Sequence, residues 1–269
     1  MDDTVLLSTS RQGMNVKLEL LNQYCNTHKT RVNNKKTKFF VINGNENDHR
    51  PFVLEHFTVG WCDSYVYLGS TFTSDGNPSS AIKAHAAAKM SQAVKFVEFV
   101  RQNSDAPIYV KLKVFHACVT SSVLYACETW LQGDVRPVAK LYNMCVKAML
   151  GVRNTTCNDL CYLELGIPPV KALVMAKQRH FLQTLHRERA DNQEDPWNHA
   201  VSLSMDARHA TGRYLHDLLT TDLDDVRIAM QQVKHTVENS QSSRRNKYVL
   251  MNPTMNVHHI YTQRNASPI

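Results

Sequence analysis

The sequence predicts an α+β fold that is predominantly helical, with its strands gathered near the start. Three observations carry this. Apolar residues that alternate with the two-residue period of a half-buried strand occur before Ser79: Phe57, Val59 and Trp61, then Tyr65 and Tyr67. From Ser79 onward the apolar spacing changes to three and four residues, the period of an amphipathic helix. Gly and Pro, nine of each, are too scarce for a low-complexity or fibrous chain.

The elements follow in order. Thr4–Ser8 is apolar and β-branched and reads as a short strand, and Ser8 or Ser10 can cap the helix after it. That helix carries Leu18, Leu21 and Cys25 on one stripe, widened by Leu20 and Tyr24, and should end near Thr27. A strand is expected over Thr37–Ile42, broken by Asn43-Gly44-Asn45. Phe52 to Phe72 reads as β-rich, with Asp75-Gly76 supplying a turn.

The helical part opens with a stripe of Ile82, Ala86, Met90, Val94, Val97 and Val100. Its cations Lys83, Lys89, Lys95 and Arg101 recur every six residues; six steps rotate about 240° around a helix, so they do not share one face. Pro107 can start the next helix, with Ile108, Leu112, Phe115, Val119, Val123 and Ala126 inward and Lys111 and Lys113 on other sides. A third helix covers Pro137–Leu150, with Leu141, Met144, Cys145 and Ala148 inward and Gly151 as its C-cap. A short element near Asp159–Leu165 stops at Gly166-Ile167-Pro168-Pro169. The helix from Val170 to Arg189 buries Leu173, Val174, Phe181, Leu182 and Leu185, and its polar side holds Lys171, Lys177, Arg179, Arg187 and Arg189. Asp195-Pro196 can cap a short helix. Asp222 or Asp224 can begin another, with Val226, Met230, Val233 and Val237 on a face. Ser240–Lys247 is polar and basic and reads as a loop, and 248–269 shows no periodicity.

A length of 269 residues, 43% apolar and 20% charged, fits a globular chain with a real core. Neither a secretory signal nor a transmembrane run is legible, so an intracellular location, nucleus or cytoplasm, without membrane association is expected. Seven cysteines, an odd number, several inside apolar periodic segments, read as reduced thiols. The formal net charge of +7 is uneven: +2 over 1–60, +6 over 61–190 and −1 over 191–269. A basic middle suits a polyanionic partner.

Two features carry candidate chemistry. Asp2 and Asp3 are adjacent carboxylates ahead of a strand-like run. Their repulsion is relieved when a hard divalent cation lies between them, and a frayed, solvated terminus is the bland alternative. Cys157, Cys161, His180 and His186 make a Cys-x3-Cys and a His-x5-His pair eighteen residues apart; buried thiols and surface imidazoles explain that loose spacing better than zinc.

Asp2-Asp3-Thr4-Val5-Leu6-Leu7 resembles the catalytic turn of reverse transcriptases, in which an aromatic-x-Asp-Asp turn precedes Thr-Val-Leu-Leu. Asn33, Lys36, Thr37 and Lys38 match, in order and spacing, the family's Asn-x-x-Lys-Thr-Lys segment. Tyr65-Val66-Tyr67-Leu68-Gly69 resembles the aromatic-x-Tyr-Leu-Gly hairpin of non-LTR retrotransposon reverse transcriptases. Leu124-Tyr125-Ala126-Cys127-Glu128-Thr129-Trp130 is similar to that group's Leu-Tyr-Gly-x-Glu-x-Trp thumb segment, with Ala126 where Gly is usual. The resemblance covers about residues 1–190.

It implies a partial palm over 1–78 (strand, helix and strand plus a primer-contacting hairpin), an all-α thumb over 79–156, a helical extension over 157–240 and an irregular tail over 241–269. The implied reaction is RNA-templated DNA synthesis with two Mg²⁺ ions, Asp2 and Asp3 supplying carboxylates for metal and catalysis. Lys36 would face the leaving pyrophosphate, and it reads equally well as a solvated strand-edge lysine. Tyr67, Leu68 and Gly69, with Lys83, Lys111 and Lys113, would contact an RNA template–DNA primer duplex. The chain starts inside the catalytic turn, so this reading expects the first palm carboxylate and the fingers to come from a partner chain. It also expects weak or absent Mg²⁺ binding and little polymerase activity from these residues alone. A non-catalytic nucleic-acid-binding module and a decayed retroelement copy are the alternative readings.

Overall fold

The computed structural model describes residues 4–191, 208, 210–220 and 225–251. It is mostly helical, with two small sheets, both before residue 78. Among the described residues no helix is long and apolar enough to cross a membrane.

Helix α1 spans Arg11–His28. Ser10 caps it by accepting the Gly13 N–H, and Lys29 ends it in the left-handed region at φ 51°, donating its N–H to the Asn26 carbonyl at 3.4 Å, while the Thr30 N–H donates to the Cys25 carbonyl at 3.0 Å. Leu18 of α1 packs on a three-stranded sheet of β1 (Lys38–Phe39), β2 (Phe52–Val53) and β3 (Thr58–Trp61), where Phe52, Phe57 and Val59 complete a small core. The strand order is β1-β3-β2: β1 runs parallel to β3, pairing Lys38 with Gly60, and β2 runs antiparallel to it, pairing Phe52 with Val59.

Two expectations change here. Thr4–Ser8 forms no strand, because no described segment offers it a ladder partner. Leu6 packs against the Phe52 cluster, and the Leu7 carbonyl accepts the Lys17 ammonium at 2.5 Å. The strand expected over Thr37–Ile42 shrinks to Lys38–Phe39, the residues that face β3.

A separate antiparallel hairpin pairs β4 (Ser64–Tyr67) with β5 (Ser70–Thr73). Asp75 then organises the turn into the helical part. Its carboxylate accepts Thr73 Oγ1 at 2.6 Å, the Asn77 N–H at 3.0 Å and Ser80 Oγ at 2.6 Å, which holds its carboxyl below the ordinary carboxylate value.

Helix α2 (Pro78–Gln102) starts with Asn77 as N-cap and Pro78 at the first turn. Its buried face is Ile82, His85, Ala86, Ala93, Phe96 and Val100. Met90 and Val94, expected inside, are 46% and 50% exposed. The inward face follows the small Ala93, which lets α2 lie close against the helix Arg136–Leu150. Helix α3 (Ile108–Val114) passes through a π-helical stretch, Phe115–Thr120, into the single turn α4 (Ser121–Val123). Helix α5 (Arg136–Leu150) ends on Gly151 at φ 65°, and α6 (Asn158–Leu165) ends on Gly166 at φ 64°. Helices α7 (Val170–Asp191), α8 (Ala210–Thr220) and α9 (Asp225–Met251) follow.

One apolar core joins α2 through α7 and reaches Val233 of α9. Phe115, Val119, Leu124, Tyr142, Cys145, Ile167 and Val170 are all fully or almost fully buried. The core runs without a break past residue 156, so the extension from 157 packs into the same body as the helices before it. Arg179, read as part of a polar face, is 8% exposed and donates Nε to the Leu218 carbonyl at 2.8 Å. Gln178 beside it is 1% exposed, donating to the Cys127 carbonyl and accepting Tyr214 Oη. Phe181, expected inward, is 41% exposed. The loop expected over Ser240–Lys247, at the edge of the anticipated irregular tail, is instead helical within α9: the stretch is polar but holds neither Gly nor Pro to break the ladder. The expectations for Asp195-Pro196 and for 252–269 lie outside the described residues.

Candidate nucleic-acid interface

The site is best built from the β4–β5 turn. Tyr67 pairs with Ser70, leaving Leu68 and Gly69 as a two-residue connection. Both have positive φ, 47° and 80°, as a type I′ hairpin turn requires. Gly adopts this conformation freely. For Leu it is strained by about 1–2 kcal/mol, and the side chain gains little burial in return: it is 60% exposed. Val66 and Phe72, at 61% and 41%, are also exposed, one on each face of the hairpin, since Val66 pairs with Thr71 and Phe72 with Tyr65.

The back of the turn is held by Tyr125, whose hydroxyl donates to the Leu68 carbonyl at 2.8 Å. A Cβ added at Gly69 would lie 2.9 Å from Cε1 of the same ring. The tip therefore rests on the Leu124–Trp130 segment, and glycine at 69 is required by both φ and space. That segment turns sharply: Ala126 has φ 56°, and Cys127–Thr129 form one 3₁₀ turn. The position where the resembling family carries Gly is thus a left-handed one. Trp130 is 7% exposed and meets the His85 ring edge-on at 5.1 Å. His85 Nε2 lies 3.1 Å from the Val123 carbonyl, and burial lowers its pKa below the ordinary imidazole value. Glu128 forms a partly exposed ion pair with Lys177 of α7 at 3.7 Å. These contacts make Glu128 and Trp130 scaffold for the loop that carries Tyr125.

A second hydroxyl ties the hairpin to the basic turn before β1. Tyr65 Oη donates to the Lys36 carbonyl at 3.1 Å. Lys36 itself is exposed in a turn organised by Asn33, whose side chain accepts the N–H groups of Lys35 and Lys36. The Lys-Thr-Lys, Tyr-Leu-Gly and Leu-Tyr-Ala segments, far apart in sequence, are therefore linked by two tyrosine hydroxyls.

The expected cations divide. Lys83 and Lys113 are exposed on α2 and α3, and the Lys113 ammonium lies 6.0 Å from the Tyr109 ring centre. Lys111 is 7% exposed and donates Nζ to the Ser104 carbonyl at 2.7 Å. The ammonium of Lys111, expected to contact nucleic acid, closes the connection between α2 and α3. Asp2 and Asp3 lie outside the described residues, and so does the side chain of His186. Among the described residues no group of three or more His, Cys, Asp or Glu is placed to hold a metal ion.

Burial pushes the Cys127 and Cys145 thiols up to about 12, so both stay protonated at neutral pH. Sequence reasoning missed Tyr125 as the support of the hairpin. The only available signal was the Gly of Tyr-Leu-Gly, which marks a close approach without naming the group that approaches.

Compared with protein-family models, with curated proteins and with solved structures, the chain finds no match in any of the three.

Proposed function

We propose that this chain is the rear palm and thumb portion of a retrotransposon-type reverse transcriptase, and that its hairpin and helices hold an RNA template–DNA primer duplex. The observation that supports this best is Leu68. A large apolar residue at a left-handed turn position, 60% exposed, is unfavourable on both counts. Asn or Gly would relax the turn at little packing cost, so a Leu there is explained by something outside the chain that it touches. Tyr67 beside it offers a ring for sugar or base stacking, and Lys83 and Lys113 offer exposed ammonium groups for phosphates. The intact reaction would need carboxylates for Mg²⁺, for which Asp2 and Asp3 are the candidates, and Lys36 near the departing pyrophosphate.

The test is anisotropy titration of a labelled RNA–DNA primer–template against the chain and its Leu68→Asn variant. The variant should be at least as stable as the wild type and bind several-fold more weakly. Equal binding by both would remove the reading of Leu68. Primer extension with Mg²⁺ on the same substrate addresses catalysis: incorporation abolished by Asp2→Ala would show that these residues carry chemistry as well as binding.

A further inference from the structure

The turn between α1 and β1 holds a second charged surface that the hairpin reading does not use. From Leu20 to Asn45 the chain contains no Asp or Glu, yet it carries Lys29, Arg31, Lys35, Lys36 and Lys38. All five are exposed, and among the described residues none of them forms an ion pair. Arg11 shows the contrast: it is spent internally, on the carbonyls of Asp48, Arg50 and Pro51 and over the Phe52 ring at 4.2 Å.

The backbone beneath these cations is ordered by specific bonds. Lys29 is fixed as the left-handed cap of α1. Lys35 and Lys36 are presented by the Asn33 turn. Lys38 lies in β1 opposite Gly60, which places its position by the register of the sheet. Asp63 accepts Trp61 Nε1 at 3.2 Å and Asp48 accepts the Asn45 N–H at 2.9 Å, and neither forms an ion pair with these cations.

We propose that Lys29, Arg31, Lys35 and Lys38 form a contact surface for the phosphate backbone of a nucleic acid, distinct from the hairpin tip. Like charges on a fixed backbone repel one another until a polyanion neutralises them, and releasing the polyanion's counterions drives that association. Tyr65 joins this turn to the hairpin, and from Tyr65 to Leu68 the strand advances about 10 Å, roughly three nucleotide rises along one strand of a duplex. A nucleic acid that meets the turn at Lys36 is within that reach of the hairpin tip, while this surface requires neither a primer end nor Leu68.

The experiment measures binding of a labelled single-stranded RNA of about 20 nucleotides to the full chain between about 50 and 200 mM salt. Replacing Lys29, Arg31, Lys35 and Lys38 together by Gln should lower the slope of log affinity against log salt by about 3, since each single-strand phosphate contact contributes about 0.7. Leu68→Asn should leave that slope unchanged while weakening primer–template binding, so failure of the hairpin reading and failure of this one give different patterns. An unchanged slope in a folded quadruple variant overturns the proposal. If that variant unfolds, Lys35→Glu alone, at an exposed turn position, must weaken RNA binding, and equal binding overturns the proposal as well. Binding to phosphatidylserine vesicles that depends on these four residues, without RNA binding, would assign the surface to a membrane instead.

Discussion

The hydroxyl of Tyr125 donates to the carbonyl of Leu68 at 2.8 Å, across 57 residues of sequence, and its ring closes the space behind Gly69. This contact seats a strained hairpin tip on the loop between α4 and α5. It also fixes the direction in which the tip presents Tyr67 and Leu68.

Gly69→Ala should destabilise the hairpin more than Tyr125→Phe. The alanine meets the Tyr125 ring at 2.9 Å and must adopt φ 80°, for about 2–3 kcal/mol together. The phenylalanine loses one partly exposed hydrogen bond, about 1 kcal/mol. Hydrogen exchange at residues 66–71 would rank the two. Greater loss of protection in Tyr125→Phe would contradict the geometry.

Ala126→Gly should stabilise the chain by about 1 kcal/mol. At φ 56° alanine sits in the left-handed region and glycine does not resist it, which outweighs the extra freedom glycine adds to the unfolded chain. Urea denaturation checks the sign: a lower midpoint would mean that the loop relaxes when alanine is removed.

The surface lysines should separate in a salt titration of duplex binding. Lys83→Gln and Lys113→Gln should each reduce the salt slope by about 1, because each is an exposed ammonium. Lys111→Gln should leave the slope unchanged and lower the melting temperature, because its ammonium is bound to the Ser104 carbonyl. A slope change in Lys111→Gln would mean that the α2–α3 connection opens on binding.

Stability should fall as pH drops through about 6.5. Burial lowers the His85 pKa from its ordinary value of 6.5, so below that pH the unfolded chain takes up a proton that the folded chain refuses. The contribution is intact above pH 6.5 and lost progressively beneath it, whereas losses from Asp75 and Asp134, whose carboxyls are held below 3.8, begin only in more acid solution. His85→Gln, which keeps a donor for the Val123 carbonyl, should flatten the melting-temperature profile between about pH 5 and 7. An unchanged profile would locate the dependence elsewhere.

The sequence by itself determined the elements whose signals are local. Ser10 starts α1, and Gly151 and Gly166 end α5 and α6, because caps depend on the backbone of one turn. The hairpin was legible in Tyr65, Tyr67 and Gly69, since a two-residue period interrupted by glycine is a local pattern. What tertiary structure decided was which face of each helix turned inward and where each polar group ended. Ala93 and Phe96 displaced Met90 and Val94 from the core because the approach of α5 favours a small residue at the crossing. Lys111 and Arg179 are nearly buried, with their cationic groups on the carbonyls of Ser104 and Leu218, contacts that only the folded chain creates. Thr4–Ser8 had the composition of a strand and formed none, because a strand exists only with a partner ladder. At the candidate site the sequence supplied the Tyr-Leu-Gly tip. Only the fold supplied Tyr125 beneath it and the positive φ that makes an exposed Leu68 informative.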